Sequence, residues 1–115
     1  MTNAKRLLER LYDRFNARDL DTALAFMHPD VVWANGLEGG HVEGRDGVRE
    51  YWTRQWAMMD SRAEPAGFSI GGDGTAHVEV HLTARDHDGK VLFDEIAGHV
   101  FQIEDGLIRR FDIQK

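Results

Sequence analysis

Residues 75–114, TAHVEVHLTARDHDGKVLFDEIAGHVFQIEDGLIRRFDIQ, carry the pattern that decides the fold. Val78, Val80, Leu82 and Ala84 alternate with His77, Glu79, His81, Thr83 and Arg85, and a period of two places the apolar set on one face of a strand. Asp88-Gly89 and Asp105-Gly106 interrupt the alternation with dipeptides that supply the positive φ of tight turns or bulges. Strands are therefore expected at about 75–86, 91–103 and 107–114, with another at 67–71 ahead of Asp73-Gly74, together an antiparallel meander.

The last hairpin decides which side chains share the apolar face. A three-residue loop, Glu104-Asp105-Gly106, pairs Ile103 with Leu107 and sets His99 opposite Phe111, Phe101 opposite Arg109, and Ala97 opposite Ile113. His99 then points inward on a mostly apolar face. A two-residue loop puts His99 beside Asp112 instead, and a bulge near Asp88-Gly89 shifts the parity again.

Upstream of the meander the period changes from two to 3.6. Leu8, Leu11, Tyr12 and Phe15 fall at i, i+3, i+4 and i+7 of a helix over 4–17, and Asp19 is placed to cap a second helix over 20–27, stopped by His28-Pro29-Asp30. A β-branched and aromatic run over 31–35 turns Val31, Trp33 and Asn35 to one face. A glycine-rich loop over 36–44 leads to a third helix, 45–59, with Val48, Tyr51, Trp52, Trp56 and Met59 on its apolar side. Helices followed by strands, rather than alternating with them, imply one α+β domain over 1–115, an antiparallel sheet with about three N-terminal helices on one face.

Composition narrows the function classes. The absence of cysteine among the 115 residues excludes a disulfide framework, a thiolate metal site and a cysteine nucleophile, and agrees with a cytoplasmic location. No apolar run approaches the roughly 20 residues of a membrane span, and residues 1–20 are charged throughout, so no signal peptide, anchor or membrane partner is expected. A net charge of -6 with scattered basic residues argues against nucleic acid as a partner. His77 and His81 stand four residues apart on a strand, roughly 13 Å, too far to share one ion, and no metal or cofactor is expected. Gly71-Gly72-Asp73-Gly74 lacks the Lys-Ser/Thr of a phosphate loop, and Ser61 and Ser69 lack a nucleophile-elbow context.

The segments LERLYDRFNARDLD (8–21), HPDVVWANG (28–36), GRDGVREYW (44–52) and HVFQIEDGLIRRF (99–111), in this order, resemble the SnoaL-like and ketosteroid-isomerase-related branch of the nuclear-transport-factor-2-like superfamily over nearly the whole chain. The resemblance implies a curved sheet folded around the helices as a cone, a pocket on its concave side, and homodimers formed through the sheets. It implies a lining of Leu11, Tyr12 and Phe15 from the first helix, Trp33 and Asn35 from the first strand, and Tyr51, Trp52 and Trp56 from the third helix. His99, Phe101 and Phe111 complete it. Ketosteroid isomerases carry their catalytic aspartate where this chain has Asn35, and an amide cannot take a proton at neutral pH, so that activity is disfavoured.

Among these residues His99 is the expected acid or base, because an imidazole on an apolar face exchanges protons near neutral pH. Asn35 is expected to anchor a ligand and polarise a carbonyl, and Arg109, on the inner face in the three-residue-loop register, to bind a carboxylate or enolate oxygen. Trp33 and Trp56 are read as pocket wall and Trp52 as core, all three able to stack on a flat ligand. Glu95 is a weaker base, better placed at a solvated edge. The function expected is the binding of a small apolar or weakly polar metabolite, with cofactor-free isomerisation, cyclisation or dehydration by proton transfer. The competing class is a non-catalytic binding or assembly module that uses an outer face bearing His77, Glu79, His81 and Arg85.

Overall fold

The computed structural model describes residues 3–114. Helix α1 (Asn3–Asn16) is followed by α2 (Leu20–Ala25), β1 (Met27–Ala34), β2 (His41–Glu43), α3 (Gly44–Met58), β3 (Asp60–Ile70), β4 (Thr75–Arg85), β5 (Val91–Glu104) and β6 (Leu107–Gln114). The strands form one curved sheet in the order β2-β1-β6-β5-β4-β3, with α1 packed on β3 and α3 on β1. The α+β class expected from the sequence is the class observed. No helix among the described residues is long and apolar enough to cross a membrane.

The meander β3–β4–β5–β6 is antiparallel throughout, but β1 runs parallel to β6, with Trp33 beside Phe111. The sheet is therefore mixed, a pairing that short-range alternation could not reveal because β1 and β6 lie at opposite ends of the chain.

Several boundaries differ from the sequence reading for physical reasons. Asp19 caps α2 as expected, accepting from Thr22 N at 3.3 Å, but α2 ends at Ala25 and His28-Pro29-Asp30 belong to β1. The β1–β6 register shifts between Met27 and Val32, so Pro29 sits where the ladder asks for no N–H. The Arg45 guanidinium of α3 donates to the Met27 carbonyl at this irregularity. β3 begins seven residues before the expected 67, at Asp60, because its inward positions Ser61, Ala63 and Pro65 are small and carry no strong apolar alternation. β2 was hidden in the glycine-rich loop.

The last hairpin follows neither register expected for it. Asp105 and Gly106 both have positive φ, 55° and 77°, and form a two-residue turn that pairs Glu104 with Leu107. A bulge then pairs Ile103 with Ile108 but Gln102 with Arg110, leaving Arg109 as the extra residue. Phe101 consequently faces Phe111 rather than Arg109, and His99 faces Ile113. His99 still points inward, on the apolar face with Val78, Phe101 and Phe111, all buried.

Candidate functional site

The concave sheet, α1, α3 and the loop 35–40 line a cavity of about 670 Å³ that opens to solvent. Leu11, Tyr12 and Phe15 reach it because the helical stripe of α1 faces the sheet. The end of α1 is fixed by Asn16, whose amide donates to Ala63 O at 2.8 Å and accepts from Ala63 N at 2.9 Å.

On the cavity wall the Tyr12 hydroxyl and His99 Nδ1 are hydrogen-bonded at 2.7 Å. Their rings stack at 5.9 Å and 12°, and the Phe111 ring meets the imidazole edge-on at 4.8 Å. Burial alone pushes the His99 imidazole from its ordinary 6.5 to about 4, and pushes the Tyr12 phenol well above its usual value. At neutral pH the pair is uncharged on both sides. With Tyr12 donating, the imidazole carries its proton on Nε2; with Nδ1–H donating to the phenol oxygen, Nε2 presents a lone pair. His99 Nε2 makes no hydrogen bond among the described residues, and it is not one of the fully buried unpartnered atoms. It is the free end of the pair.

The wall around this pair is aromatic. Trp33 lies 4.3 Å from Phe111 and meets Trp52 at 5.4 Å and 84°, while Phe15 meets Trp52 at 5.0 Å. The Tyr51 hydroxyl accepts from Gly36 N at 3.0 Å, holding α3 to the loop.

Three residues expected at the site behave differently. Asn35 lines the cavity, but its side-chain oxygen accepts from Leu37 N at 3.0 Å and Glu38 N at 2.8 Å, while its amide donates to Glu38 at 3.3 Å. Its oxygen and one of its two N–H groups are committed to the loop. Trp56 does not line the cavity; it packs on Phe15 and Trp52 under the Arg18 guanidinium, 5.1 Å from its ring, because α3 turns it past the sheet. Arg109 is also outside, its guanidinium donating to the Asp30 carbonyl and facing Glu104 at 3.9 Å, a consequence of the bulge. His77 and His81 lie on the outer face, His81 held by Asp94 at 2.5 Å.

The cavity wall also includes residues the sequence reading did not pick out for it. His41 Nε2 donates to Asp112 Oδ1 at 2.7 Å at the rim, and Gln55, Ser61 and Phe93 complete the wall, with Glu95 exposed at its edge. His41 could have been found only by recognising β2, and Gln55 only by widening the apolar stripe of α3. No group of three or more metal-ligating side chains occurs among the described residues.

A family model, the SnoaL-like domain, matches residues 8–111. An NTF2-like protein from Burkholderia pseudomallei is similar at 25% identity and a TM-score of 0.86, over 99% of this chain and 91% of that one. TerC, co-crystallised with polyporic acid, is similar at 24% identity and a TM-score of 0.86, over 98% and 91% of the two chains. Rv0760c from Mycobacterium tuberculosis, in complex with estradiol-17β-hemisuccinate, shares the fold at 14% identity and a TM-score of 0.87, over 100% and 95%. No curated protein matches the chain.

Proposed function

The chain belongs to the SnoaL-like domain family, and from that premise we propose that its cavity binds a small, mostly apolar metabolite through an oxygen and acts on it by cofactor-free proton transfer. The observation that carries this reading is the Tyr12–His99 hydrogen bond of 2.7 Å inside an aromatic cavity of about 670 Å³. A neutral imidazole with a free Nε2 exchanges a proton with a bound hydroxyl, carbonyl or enol, and the phenol on Nδ1 holds the ring in place and serves either tautomer. The aromatic wall around the pair strengthens each of these hydrogen bonds. The estradiol hemisuccinate in complex with Rv0760c and the polyporic acid co-crystallised with TerC are ring compounds bearing oxygen, which supports a ligand of that kind here. Isomerisation, cyclisation and dehydration are the reaction classes such a pair serves.

The test begins with native mass spectrometry of the purified protein against its denatured mass. A co-purifying small molecule of the stated kind, lost in Tyr12→Phe and His99→Gln variants, supports the reading. Full turnover of an identified substrate by His99→Gln would refute the proton-transfer part.

Binding without turnover is the second reading. It is favoured by the commitment of the Asn35 oxygen and one of its N–H groups to its own loop, which gives the residue a structural task beside any contact with a ligand. Retention of ligand affinity with no chemistry in the native protein selects it.

For the assembly state we propose a homodimer through the outer face of the sheet. Val91, Leu92 and Ile96 of β5 are exposed, Ile96 to 63%, and an apolar patch of this kind favours a second copy. A cysteine-free chain suits the reducing cytoplasm, where we place it.

A further inference from the structure

Charge on the cavity wall is paired at every position but one. Arg62 is held by Glu64 at 2.9 Å, and Asp112 by Arg110 at 2.7 Å and by His41 at 2.7 Å. Glu95 is the exception. It lines the cavity, it is exposed, and its carboxylate makes no ion pair or hydrogen bond among the described residues.

The strand pattern fixes where this charge stands. Glu95, Ala97 and His99 form one row on the concave side of β5, opposite Leu82, Val80 and Val78 of β4. Four residues of strand, roughly 13 Å, separate Glu95 from the imidazole. The wall around this stretch is apolar, with Ala97, Leu82 and Ile113. Pairing between β5 and β6 stops at Gly98 and Gln114, so no strand lies beside Glu95 on that side among the described residues. Glu95 therefore stands where the cavity meets solvent, at the opposite end of the row from His99.

A carboxylate in this place attracts an ammonium group, accepts from a hydroxyl, and repels a carboxylate or phosphate. Solvent weakens each effect, so the discrimination is several-fold and not of many orders. The net charge of -6 acts in the same direction, but charges farther away than about 8 Å are largely screened at physiological ionic strength, which leaves the nearest carboxylate to decide.

We infer that Glu95 is a specificity residue of the cavity: it selects a ligand whose outer end, remote from His99, is an ammonium or a hydroxyl, and it discriminates against an anionic outer end. The inference rests on the pocket reading above and adds to it the charge of the ligand's second end.

Three biphenyls that share a phenol end test this by calorimetric titration into the full chain at neutral pH: 4′-(aminomethyl)biphenyl-4-ol, 4′-(hydroxymethyl)biphenyl-4-ol and 4′-hydroxybiphenyl-4-carboxylic acid. Their other ends are an ammonium, an alcohol and a carboxylate. The native protein is expected to bind the ammonium probe about tenfold more tightly than the carboxylate, with the alcohol between them. Glu95→Gln should reduce that ratio below about twofold, keep the alcohol affinity and retain a native melting temperature, since the side chain is exposed and unpaired. Glu95→Lys should invert the order. Glu9→Gln, which removes a charge from the exposed side of α1, should leave the ratio as it is. A native ratio below about twofold overturns the assignment, as does a ratio that survives Glu95→Gln, an equal fall in Glu9→Gln, or a Glu95→Gln variant that loses all three probes alike. Failure of the native protein to bind the alcohol overturns the pocket reading and the assignment with it, an outcome distinct from equal binding of the three.

Discussion

The Tyr12 ring lies almost parallel to the His99 imidazole, 12° from it, with the hydroxyl 2.7 Å from Nδ1. This hydrogen bond ties the helix to the sheet within an aromatic wall, in addition to the Asn16–Ala63 pair at the helix end. Tyr12→Phe keeps the ring and strands Nδ1 without a partner in a buried place, which costs about 1–3 kcal/mol of stability. Urea unfolding at neutral pH checks this; an unchanged midpoint would mean that water replaces the hydroxyl.

His99 makes stability depend on acidity. Its folded value, about 4, is below the ordinary 6.5, so between these values the unfolded chain binds more protons. The contribution is fully present above about pH 6.5, is lost as the pH falls toward 4, and is constant below that. A shift of this size corresponds to about 3 kcal/mol. Unfolding measured at steps across this window should show a slope in the native protein that is reduced in His99→Gln, and the imidazole resonances should titrate near 4.

Asn35 should behave as a structural residue. Asn35→Ala leaves Leu37 N and Glu38 N without their acceptor, so faster hydrogen exchange at these two amides and a loss of about 1 kcal/mol are expected. An effect on turnover far greater than that of loosening the loop would restore a chemical role for the amide.

Gly74 has φ +86°, and a Cβ there would stand 2.7 Å from the Ile103 carbonyl oxygen. Gly74→Ala is expected to destabilise the protein by about 2 kcal/mol or more, through left-handed strain and a clash with backbone. Thermal melting decides it, and Gly39→Ala, with positive φ but open space, should cost less.

Truncating the aromatic wall tests its share of the core. Trp33 is 5% exposed and contacts Trp52, Phe101 and Phe111, so Trp33→Ala is expected to cost about 3–5 kcal/mol. Chemical denaturation measures the loss, and added apolar ligand should recover part of it.

The sequence made some of this legible and hid the rest for identifiable reasons. Alternation along β4 assigned its faces correctly because one side is buried and the other is solvated. The helical stripe from Leu8 to Phe15 located the side chains that reach the cavity. The inward direction of His99 was reached through the wrong register: turn chemistry at Asp105-Gly106 admits two loop lengths, and the bulge at Arg109 has no local sequence signal. That bulge also removed Arg109 from the site. Asn35 was placed at the cavity, but its hydrogen bonds to the next residues depend on a loop conformation that residue type alone does not specify. Ser61 was weighed only as a nucleophile, and its place on an inward strand position was hidden because a short side chain among small neighbours carries no pattern.

The parallel pairing of β1 with β6 governs the order in which the chain can be completed. Trp33 and Phe111 meet across roughly 80 residues of sequence, and Ile108 N donates to Phe26 O at 2.9 Å beside the same seam. During synthesis α1, α2, β1, β2 and α3 emerge before the strand on which β1 must lie, so the first half waits with its apolar faces and one strand edge uncovered. The hairpins of the second half need no such wait. The last eight-residue strand therefore acts as the latch of the molecule, and a ribosome stalled shortly before it would hold a chain with a formed meander and an unclosed seam, the species most exposed to chaperones and to aggregation.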